Sequence, residues 1–309
     1  MCGDEGRDIA AWSLKEILHV TGNNRMSTRN IRPSYTWEQA IEILRSDPKH
    51  RELIFDAYLT EDLGDNCRRF SASHEFHESL DLLNRHMPGF KTVLDIPGGN
   101  GIATVAFAKA GYDVTAVEPD RSSRVGSGAI AFNLNREGLR AVIVNAFGEA
   151  LPFADARFDV VYVRQGLHHA SHLTRMISEL SRVLAPGGLL LAAREHVVDD
   201  YGKSLRRFLD SQVDHQLYGG ENAFTLTDYR NAFSNAGLVT VVELSPYASP
   251  INMYPNDQTS LRHKILNSRE GKILRLFMSA NLVARIGWWR LAARKVPGRL
   301  FSFLLRKPI

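Results

Sequence analysis

Val93-Leu94-Asp95-Ile96-Pro97-Gly98-Gly99-Asn100-Gly101 joins an apolar run to a glycine-rich turn, and the predicted fold of this chain follows from that combination. Its apolar start is typical of a buried strand, and the run Ile102–Ala110 that follows predicts a helix. Between them lies a turn, Pro97–Gly101, which we call the glycine loop. Glycine suits such a turn because it adopts positive φ at little cost and lets the backbone approach a ligand closely. The stretch therefore predicts a strand–turn–helix unit whose turn binds a ligand.

Strand patterns and helix patterns alternate on both sides of this unit. Such alternation predicts βαβ units with right-handed crossovers, and hence a mainly parallel sheet. We predict an α/β fold in which a seven-stranded, Rossmann-like sheet carries helices on both faces. The predicted strands are Thr92–Ile96, Asp113–Val117, Arg140–Val144, Phe158–Val163, Leu189–Ala193, Leu238–Leu244 and Leu300–Leu305.

The pattern divides the chain into three segments. Residues 1–90 are polar and predict an N-terminal helical cap, and residues 91–245 predict the ligand-binding Rossmann-like core. Residues 246–309 predict a basic helical segment inserted before the closing strand of the sheet. The cap helices are predicted at Thr36–Arg45, which starts with a capping box, at Arg51–Leu59 and at Ser73–Arg85.

The composition points to a reducing compartment. No apolar run approaches the roughly 20 residues that cross a bilayer. Residues 1–10 carry four charges and lack the basic-then-apolar order of a signal peptide. Cys2 and Cys67 are the two cysteines of the sequence, which argues against a disulfide framework or a cysteine zinc site. We therefore expect a cytoplasmic protein.

The C-terminal segment is strongly basic. Residues 259–309 carry twelve Lys and Arg and one acid, Glu270, so their net charge is +11 in a chain of net charge +4. Two adjacent tryptophans lie among arginines in Ile286–Arg290, which suits a membrane interface or an anionic, partly apolar substrate. Solvated helix faces explain scattered cations equally well. Peripheral contact of residues 259–295 with the inner membrane face is therefore a hypothesis, and we expect no nucleic-acid partner because no RNA-binding module is evident.

A carboxylate after the second predicted strand indicates an adenosine ligand. Glu118 ends that strand, where it can accept both hydroxyls of a ribose. The loop does not match the dinucleotide fingerprint G-x-G-x-x-G, because residues 102–104 contain no glycine. Asp95 stands just before the loop, where it would repel a pyrophosphate but would suit the amino group of a methionine moiety. The spacing favours S-adenosyl-L-methionine over NAD as the cofactor.

Three sequence blocks resemble the class I S-adenosylmethionine-dependent methyltransferases, in the small-molecule branch that includes the ubiquinone/menaquinone-type enzymes. Two flanking segments resemble a bacterial subgroup of unassigned substrate. The blocks are the glycine loop with its strand, Gly148–Phe153 with Phe158–Val161, and Leu167–His169 with Arg182–Gly188; the flanking segments are Phe70–Phe76 and Leu217–Phe224.

The resemblance implies roles for residues near the strand ends. Asp95 would contact the methionine amino group directly or through water, and Glu118 would hold the ribose. Gly99 and Gly101 would line the cofactor chain, and Arg164 would pair with the methionine carboxylate. The predicted cofactor-binding set is Asp95, Pro97, Gly98, Gly99, Gly101, Glu118, Pro119, Phe147, Gly148, Glu149, Arg164 and Gln165.

Two positions depart from the family's pattern. Pro97 replaces the first loop glycine, which stiffens the turn and removes one N–H donor. Phe147 replaces the aspartate that often reads the adenine amino group. We therefore expect backbone groups near Phe147 and Gly148, together with apolar contact, to hold the adenine.

The catalytic candidates are His169, Glu195 and His196. His169 would act as a general base for a hydroxyl or a carbon acid, or else pack at a helix start. Glu195 and His196 follow the fifth strand, where they would face the acceptor or lie at a solvated strand end. No metal site is expected, on the premise that the tandem histidines point to different faces and that no second ligand cluster joins them.

These observations predict a methyltransferase that moves a methyl group from S-adenosylmethionine to an O or N atom of a small or lipid-linked metabolite. The cap and residues 200–290 would form the acceptor pocket, and the turn-rich segment Tyr218–Asn222 is either its lid or a plain loop. A catalytically silent adenosine-ligand-binding module and a membrane-surface module are the alternatives.

Overall fold

A mostly parallel sheet forms the centre of the protein. The computed structural model describes residues 35–309, and the part of the predicted cap before residue 35, with Cys2, lies outside them. Seven strands lie in the order β3-β2-β1-β4-β5-β8-β7, and a short β6 pairs with the end of β5. The strands of this region are β1 Thr92–Asp95, β2 Asp113–Val117, β3 Val142–Val144, β4 Phe158–Arg164, β5 Leu184–Val198, β6 Phe224–Thr225, β7 Val239–Leu244 and β8 Arg299–Arg306.

The strand directions confirm the predicted Rossmann-like class. Strands β1 to β5 are mutually parallel, β8 runs antiparallel to β5, and β7 runs antiparallel to β8. A seven-stranded sheet was predicted, and the two-residue β6 was not. β5 begins earlier than predicted because Leu184 pairs with Phe158 before the register shifts and resumes at Leu189.

Helices flank the sheet and precede it. Four of them come before β1, where the cap was predicted, although the boundaries of the three predicted segments stay a prediction. In residues 35–309 no helix is long and apolar enough to span a bilayer. The helices described are α1 Trp37–Ser46, α2 Arg51–Asp56, α3 Leu63–Ser71, α4 His74–His86, α5 Ile102–Lys109, α6 Ser127–Glu137, α7 Leu173–Val183, α8 Lys203–Ser211, α9 Val213–Leu217, α10 Leu226–Asn235, α11 Gln258–Asn267, α12 Arg269–Leu274 and α13 Ala280–Ala293.

The sheet is buried on both faces. Alternate residues of β4 enter two different hydrophobic clusters, since successive strand side chains point to opposite faces. Val161 and Val163 pack towards α7 and α10, whereas Val160 and Tyr162 pack towards α4 and α5. A strand buried on both faces reads as a continuous apolar run, which explains why β4 was predictable.

A buried ion cluster ties α4 to the carboxyl ends of β4 and β5. The Glu75 side chain is 0% exposed and accepts hydrogen bonds from Arg164 Nε at 2.6 Å and Nη2 at 3.1 Å. Arg194 Nε lies 3.8 Å from the same carboxylate, and its guanidinium also donates to the carbonyls of Ile251 and Tyr254. The Glu75 carboxylate is therefore the counter-charge of two buried arginines.

We predict that Glu75→Gln destabilises the chain by about 3–5 kcal/mol, because it leaves two buried guanidinium groups without their counter-charge. Urea unfolding monitored by circular dichroism measures this change. Glu78→Gln on the same helix is the control: Glu78 pairs with the exposed Arg85, so its loss changes the unfolding free energy by less than about 1 kcal/mol. Equal effects of the two substitutions would contradict the assignment.

Candidate functional site

The glycine loop is held close to α6. Gly98 donates its N–H to Val117 O on β2 at 2.9 Å, and Gly101 precedes the first residue of α5 with φ +90°. A Cβ on Gly101 would lie 3.1 Å from Ile130 Cα. Position 101 therefore requires glycine for two reasons: its φ is positive, and the backbone of α6 lies close to it. The predicted strand–turn–helix unit is present.

Glu118 closes the loop from the end of β2. Its Oε2 accepts the Gly99 N–H at 2.7 Å, and its Oε1 accepts the Asp120 N–H at 2.9 Å. Burial raises the pKa of Glu118 to about 7, and the two N–H donors oppose this rise. Each carboxylate oxygen keeps a further lone pair, so the group retains the capacity to accept ribose hydroxyls.

Asp95 offers an unused acceptor beside the loop. It is buried, and its Oδ2 accepts the Thr104 hydroxyl at 2.6 Å, whereas Oδ1 has no hydrogen-bond partner among residues 35–309. Burial raises the pKa of Asp95 to about 7. A buried acceptor without a donor is costly, so a ligand amino group or a water fits this position. The pair Asp95 and Glu118 thus suits the two ends of S-adenosylmethionine that carry donors.

Arg164 does not have the role that the sequence predicted. Its Nε and Nη2 donate to Glu75, and its Nη1 donates to Gln165 Oε1 at 3.1 Å. These bonds commit the guanidinium to the protein, so the expectation that it pairs with a methionine carboxylate is corrected. Gln165 itself has φ +50° and donates its N–H to Ala193 O on β5.

The other predicted cofactor residues lie around the same edge of the sheet. Phe147 follows β3 and is 70% exposed, which suits apolar contact with an adenine. Pro97 packs against Gly166, where a Cβ would collide with the proline ring. Glu149 instead accepts the N–H of Ser171 at 2.9 Å and so supports the start of α7. The contacts that Pro97, Gly98, Pro119, Phe147 and Gly148 would make with the cofactor stay predictions.

Glu195 supports the loop after β4. Its side chain is fully buried; Oε1 accepts the Gly166 N–H at 3.0 Å, and Oε2 accepts the His168 N–H at 3.1 Å. His168 Nδ1 lies 2.8 Å from the same Oε2. Burial raises the pKa of Glu195, and the N–H donors oppose this. The expectation that Glu195 faces an acceptor is therefore corrected, because every contact of its carboxylate is internal.

His196 also makes an internal contact. Its Nδ1 donates to Gly298 O at 2.9 Å, and its ring packs 4.7 Å from the His168 ring and 4.8 Å from the Phe208 ring. Burial lowers the pKa of His196 to about 3, so it is neutral. A neutral, packed imidazole of this kind stabilises the end of β5, and a catalytic role for it stays a prediction.

His168 and His169 converge, and here the premise of the sequence argument was wrong. They lie in a one-turn 3₁₀ helix, Leu167–His169, and their ring centroids are 4.2 Å apart. Glu221 completes the cluster: its Oε1 lies 3.7 Å from His169 Nε2 and its Oε2 lies 3.7 Å from His168 Nε2. Sequence reasoning missed Glu221, for which the turn-rich segment Tyr218–Asn222 gave the only signal. Burial and the nearby Asp214 raise the pKa of Glu221 to about 9.

Comparison with known proteins identifies the class. Residues 94–192 match the sequence pattern of a methyltransferase domain. Over 214 residues the chain is 30% identical to the ubiquinone/menaquinone biosynthesis C-methyltransferase of Hydrogenovibrio crunogenus, and the match covers 66% of this chain and 74% of that protein. The chain therefore belongs to the class I S-adenosylmethionine-dependent methyltransferases, as its sequence blocks predicted.

Other relatives share a smaller part of the molecule. An uncharacterized methyltransferase of Mycobacterium sp. strain JLS is 41% identical over 103 residues, so the match spans 33% of this chain and 38% of that relative. The phosphoethanolamine N-methyltransferase 2 of Haemonchus contortus, solved with phosphomonomethylethanolamine and S-adenosylhomocysteine, has the same fold, with a TM-score of 0.56 and 17% identity. That likeness covers 90% of this chain and 62% of the other. The structural likeness shows the fold, and the family rests on the relative from Hydrogenovibrio crunogenus.

The raised pKa values of Asp95 and Glu118 predict a pH-dependent cofactor affinity. Both groups take up protons as the pH falls through about 7, and each then loses the charge that attracts ligand donors. If binding requires one of these carboxylates to be ionised, we expect the affinity for S-adenosylmethionine to fall about tenfold for each pH unit below 7. If binding requires both, the fall is about a hundredfold for each pH unit. Titration calorimetry between about pH 8 and pH 6 measures this, and an affinity that is flat across this range would contradict it.

Proposed function

We propose that this chain transfers the methyl group of S-adenosylmethionine to an oxygen or nitrogen atom of a small or lipid-linked metabolite. The observation that carries the proposal is the pair of buried carboxylates on either side of the glycine loop. Asp95 offers its free Oδ1 to an amino group, and Glu118 offers the remaining lone pairs of its carboxylate to a ribose. The cofactor supplies an activated methyl group on a sulfonium, so the protein has chiefly to align the acceptor and exclude water.

The acceptor would enter beside the loop that follows β4. His169 is half-exposed there, and Gly220 O holds its Nδ1 at 3.1 Å. A carbonyl only accepts hydrogen bonds, so Nδ1 carries the proton in the neutral ring and Nε2 is free to take one. His169 is therefore the candidate base for an acceptor hydroxyl, as the sequence predicted, and this role belongs to the proposal.

Helices α1 and α9 pack against each other and against the segment that precedes α6. Trp37 of α1 packs on Tyr218, just after α9, with ring centroids 5.7 Å apart. Val125 joins the same cluster from the segment before α6, together with Ile41 and Leu44 of α1. An apolar cover near the cofactor residues would limit water at the reacting centre, as methyl transfer requires.

An apolar tip on the C-terminal segment supports a lipid-linked acceptor. Between α12 and α13 the chain exposes Leu276 and Phe277, whose exposed fractions are 78% and 79%, and Met278 lies beside them. Trp289 on α13 is 70% exposed. We call the three consecutive residues 276–278 the tip; exposed apolar residues that adjoin in this way mark interaction surfaces more often than isolated ones do.

The charge around this tip favours an anionic membrane as its occupant. Arg269, Lys272 and Arg275 precede it, and Arg285 and Arg290 follow it, whereas residues 259–309 contain a single acid. Amphipathic surfaces that combine such cations with exposed apolar residues bind the interface of anionic bilayers. We propose that the tip docks on such a membrane and so brings the site to a lipid-linked acceptor.

The docking step predicts the behaviour of a double variant. Leu276→Ser with Phe277→Ser removes the exposed apolar area, so we expect binding to anionic phosphatidylglycerol vesicles to be lost in sedimentation assays. Phe132→Ser is the matched control, because Phe132 is 54% exposed on α6 but lies outside the tip, and we expect it to bind as the unmodified chain does. Binding by the unmodified chain should also weaken as salt rises. Equal sedimentation of the two variants would exclude the tip as the docking site.

A methyl-transfer assay distinguishes an active methyltransferase from a catalytically silent adenosine-ligand-binding module. The chain is incubated with methyl-labelled S-adenosylmethionine and vesicles made from a total bacterial lipid extract, and the label is followed into the organic phase. The proposal predicts label in that phase and its loss in the double variant when lipid is presented in vesicles. Cofactor binding without transfer to either a lipid or an aqueous metabolite extract would favour a silent adenosine-ligand-binding module.

A further inference from the structure

Three side chains with metal-binding atoms converge beside the proposed acceptor position. The Nε2 atoms of His168 and His169 each lie 3.7 Å from an oxygen of Glu221. One ligand atom from each of the three residues lies within 4.8 Å of the other two. These separations are longer than hydrogen bonds but are close to those between ligands that share one metal ion.

The outward nitrogen of each ring carries a lone pair. His168 Nδ1 is 2.8 Å from Glu195 Oε2, which also accepts the His168 N–H, so Nδ1 is the donor towards that carboxylate. His169 Nδ1 faces the carbonyl of Gly220 at 3.1 Å, which accepts and cannot donate. In neutral rings both protons therefore reside on Nδ1, and both Nε2 lone pairs face Glu221.

Ionised Glu221 and the two Nε2 lone pairs together form a cluster of three acceptors. The Glu221 side chain is 11% exposed, and in residues 35–309 no Lys or Arg forms an ion pair with it. A metal cation placed between them would be bound by both imidazole lone pairs and by the carboxylate at once, and buried groups of this kind commonly coordinate metals. The contacts of Glu195 and Gly220 O with the two Nδ1 atoms match the outer partners that orient metal-binding histidines.

We propose that His168, His169 and Glu221 form a binding site for a divalent transition-metal ion, with zinc as the best match. Two imidazoles and one carboxylate leave a fourth position of a tetrahedral ion open. Magnesium and calcium prefer all-oxygen ligands, so the two nitrogens favour zinc, or iron or cobalt, over them. The open position would take a water molecule or an oxygen of a ligand.

The position of the site in the fold suggests a role for the metal ion in methyl transfer, and this role rests on the proposed function. The site is carried by the loop after β4, and Gly166 of this loop packs on Pro97 of the glycine loop. A metal ion there would bind an acceptor oxygen and lower the pKa of its hydroxyl. The bound ion would then take over the task that a free His169 would perform as a base.

Metal binding is tested without cofactor, on tag-free chain stripped with EDTA and dialysed. Titration calorimetry with Zn²⁺, Co²⁺ and Mg²⁺ should give one Zn²⁺ or Co²⁺ per chain, bound more tightly than Mg²⁺. We expect Glu221→Gln and His169→Gln to weaken Zn²⁺ binding by at least the 10–100-fold that loss of an outer partner costs. His172→Gln is the matched control, because His172 is exposed three residues away and should leave the affinity unchanged.

Thermal unfolding verifies that each variant is folded. His168 is not substituted, because it is buried against Glu195 and its loss would disturb the fold. Zinc should raise the melting temperature of the unmodified chain and of His172→Gln but not of Glu221→Gln. Absence of Zn²⁺ binding, or equal affinities in Glu221→Gln and His172→Gln, would overturn the proposed site. Binding of S-adenosylmethionine in the presence of EDTA is measured separately, so failure of the metal site is distinguishable from failure of the proposed function.

Discussion

The buried carboxylate of Glu75 is the interaction on which the functional edge of the molecule depends. Two guanidinium groups, those of Arg164 and Arg194, are buried where β4 and β5 end, and neither would be stable there without a counter-charge. The helix that carries Glu75 is therefore not an appendage but a structural part of the sheet's carboxyl edge. By holding these strand ends in place, it also fixes the loop after β4, which contains His168 and His169. The N-terminal helix α4 thus helps to build the site.

The chemistry of the site follows from the parallel sheet. Carboxyl ends of parallel strands meet at one edge, so Asp95, Glu118 and the loop after β4 come together although they are distant in sequence. Burial holds the pKa of both carboxyl groups near 7, while the free Oδ1 of Asp95 and the remaining lone pairs of Glu118 are suited to donors from a ligand. The cluster of His168, His169 and Glu221 is carried beside this edge, where we propose that the methyl acceptor binds. The two halves are therefore complementary parts of one proposed reaction centre.

The sequence predicts what is local and misses what depends on distant contacts. The glycine loop, the capping box at Thr36 and the closing strand β8 were all predictable, because turn chemistry, helix capping and a continuous apolar run are properties of neighbouring residues. The pairing of Arg164 with Glu75 spans 89 residues, and no local pattern announces it. Helix α3 was missed because its sequence is polar, although it buries Cys67 and Phe70. The convergence of the two histidines depends on a 3₁₀ turn, which the pattern of residues did not distinguish from an α-helix.

If S-adenosylmethionine binds between Asp95 and Glu118, as we propose, then loss of the Glu118 carboxylate weakens its binding, and calorimetric titration of the full chain measures that loss. The ligands are S-adenosylmethionine and S-adenosylhomocysteine, and the variants are Glu118→Gln and Asp113→Asn, which alter acids at opposite ends of β2. We expect Asp113→Asn to bind each ligand as tightly as the unmodified chain does. We expect Glu118→Gln to bind each ligand roughly 10–100-fold more weakly, the loss expected for a hydrogen bond to a charged group. Absence of binding by the folded chain, or undiminished affinity in Glu118→Gln, would contradict the proposal.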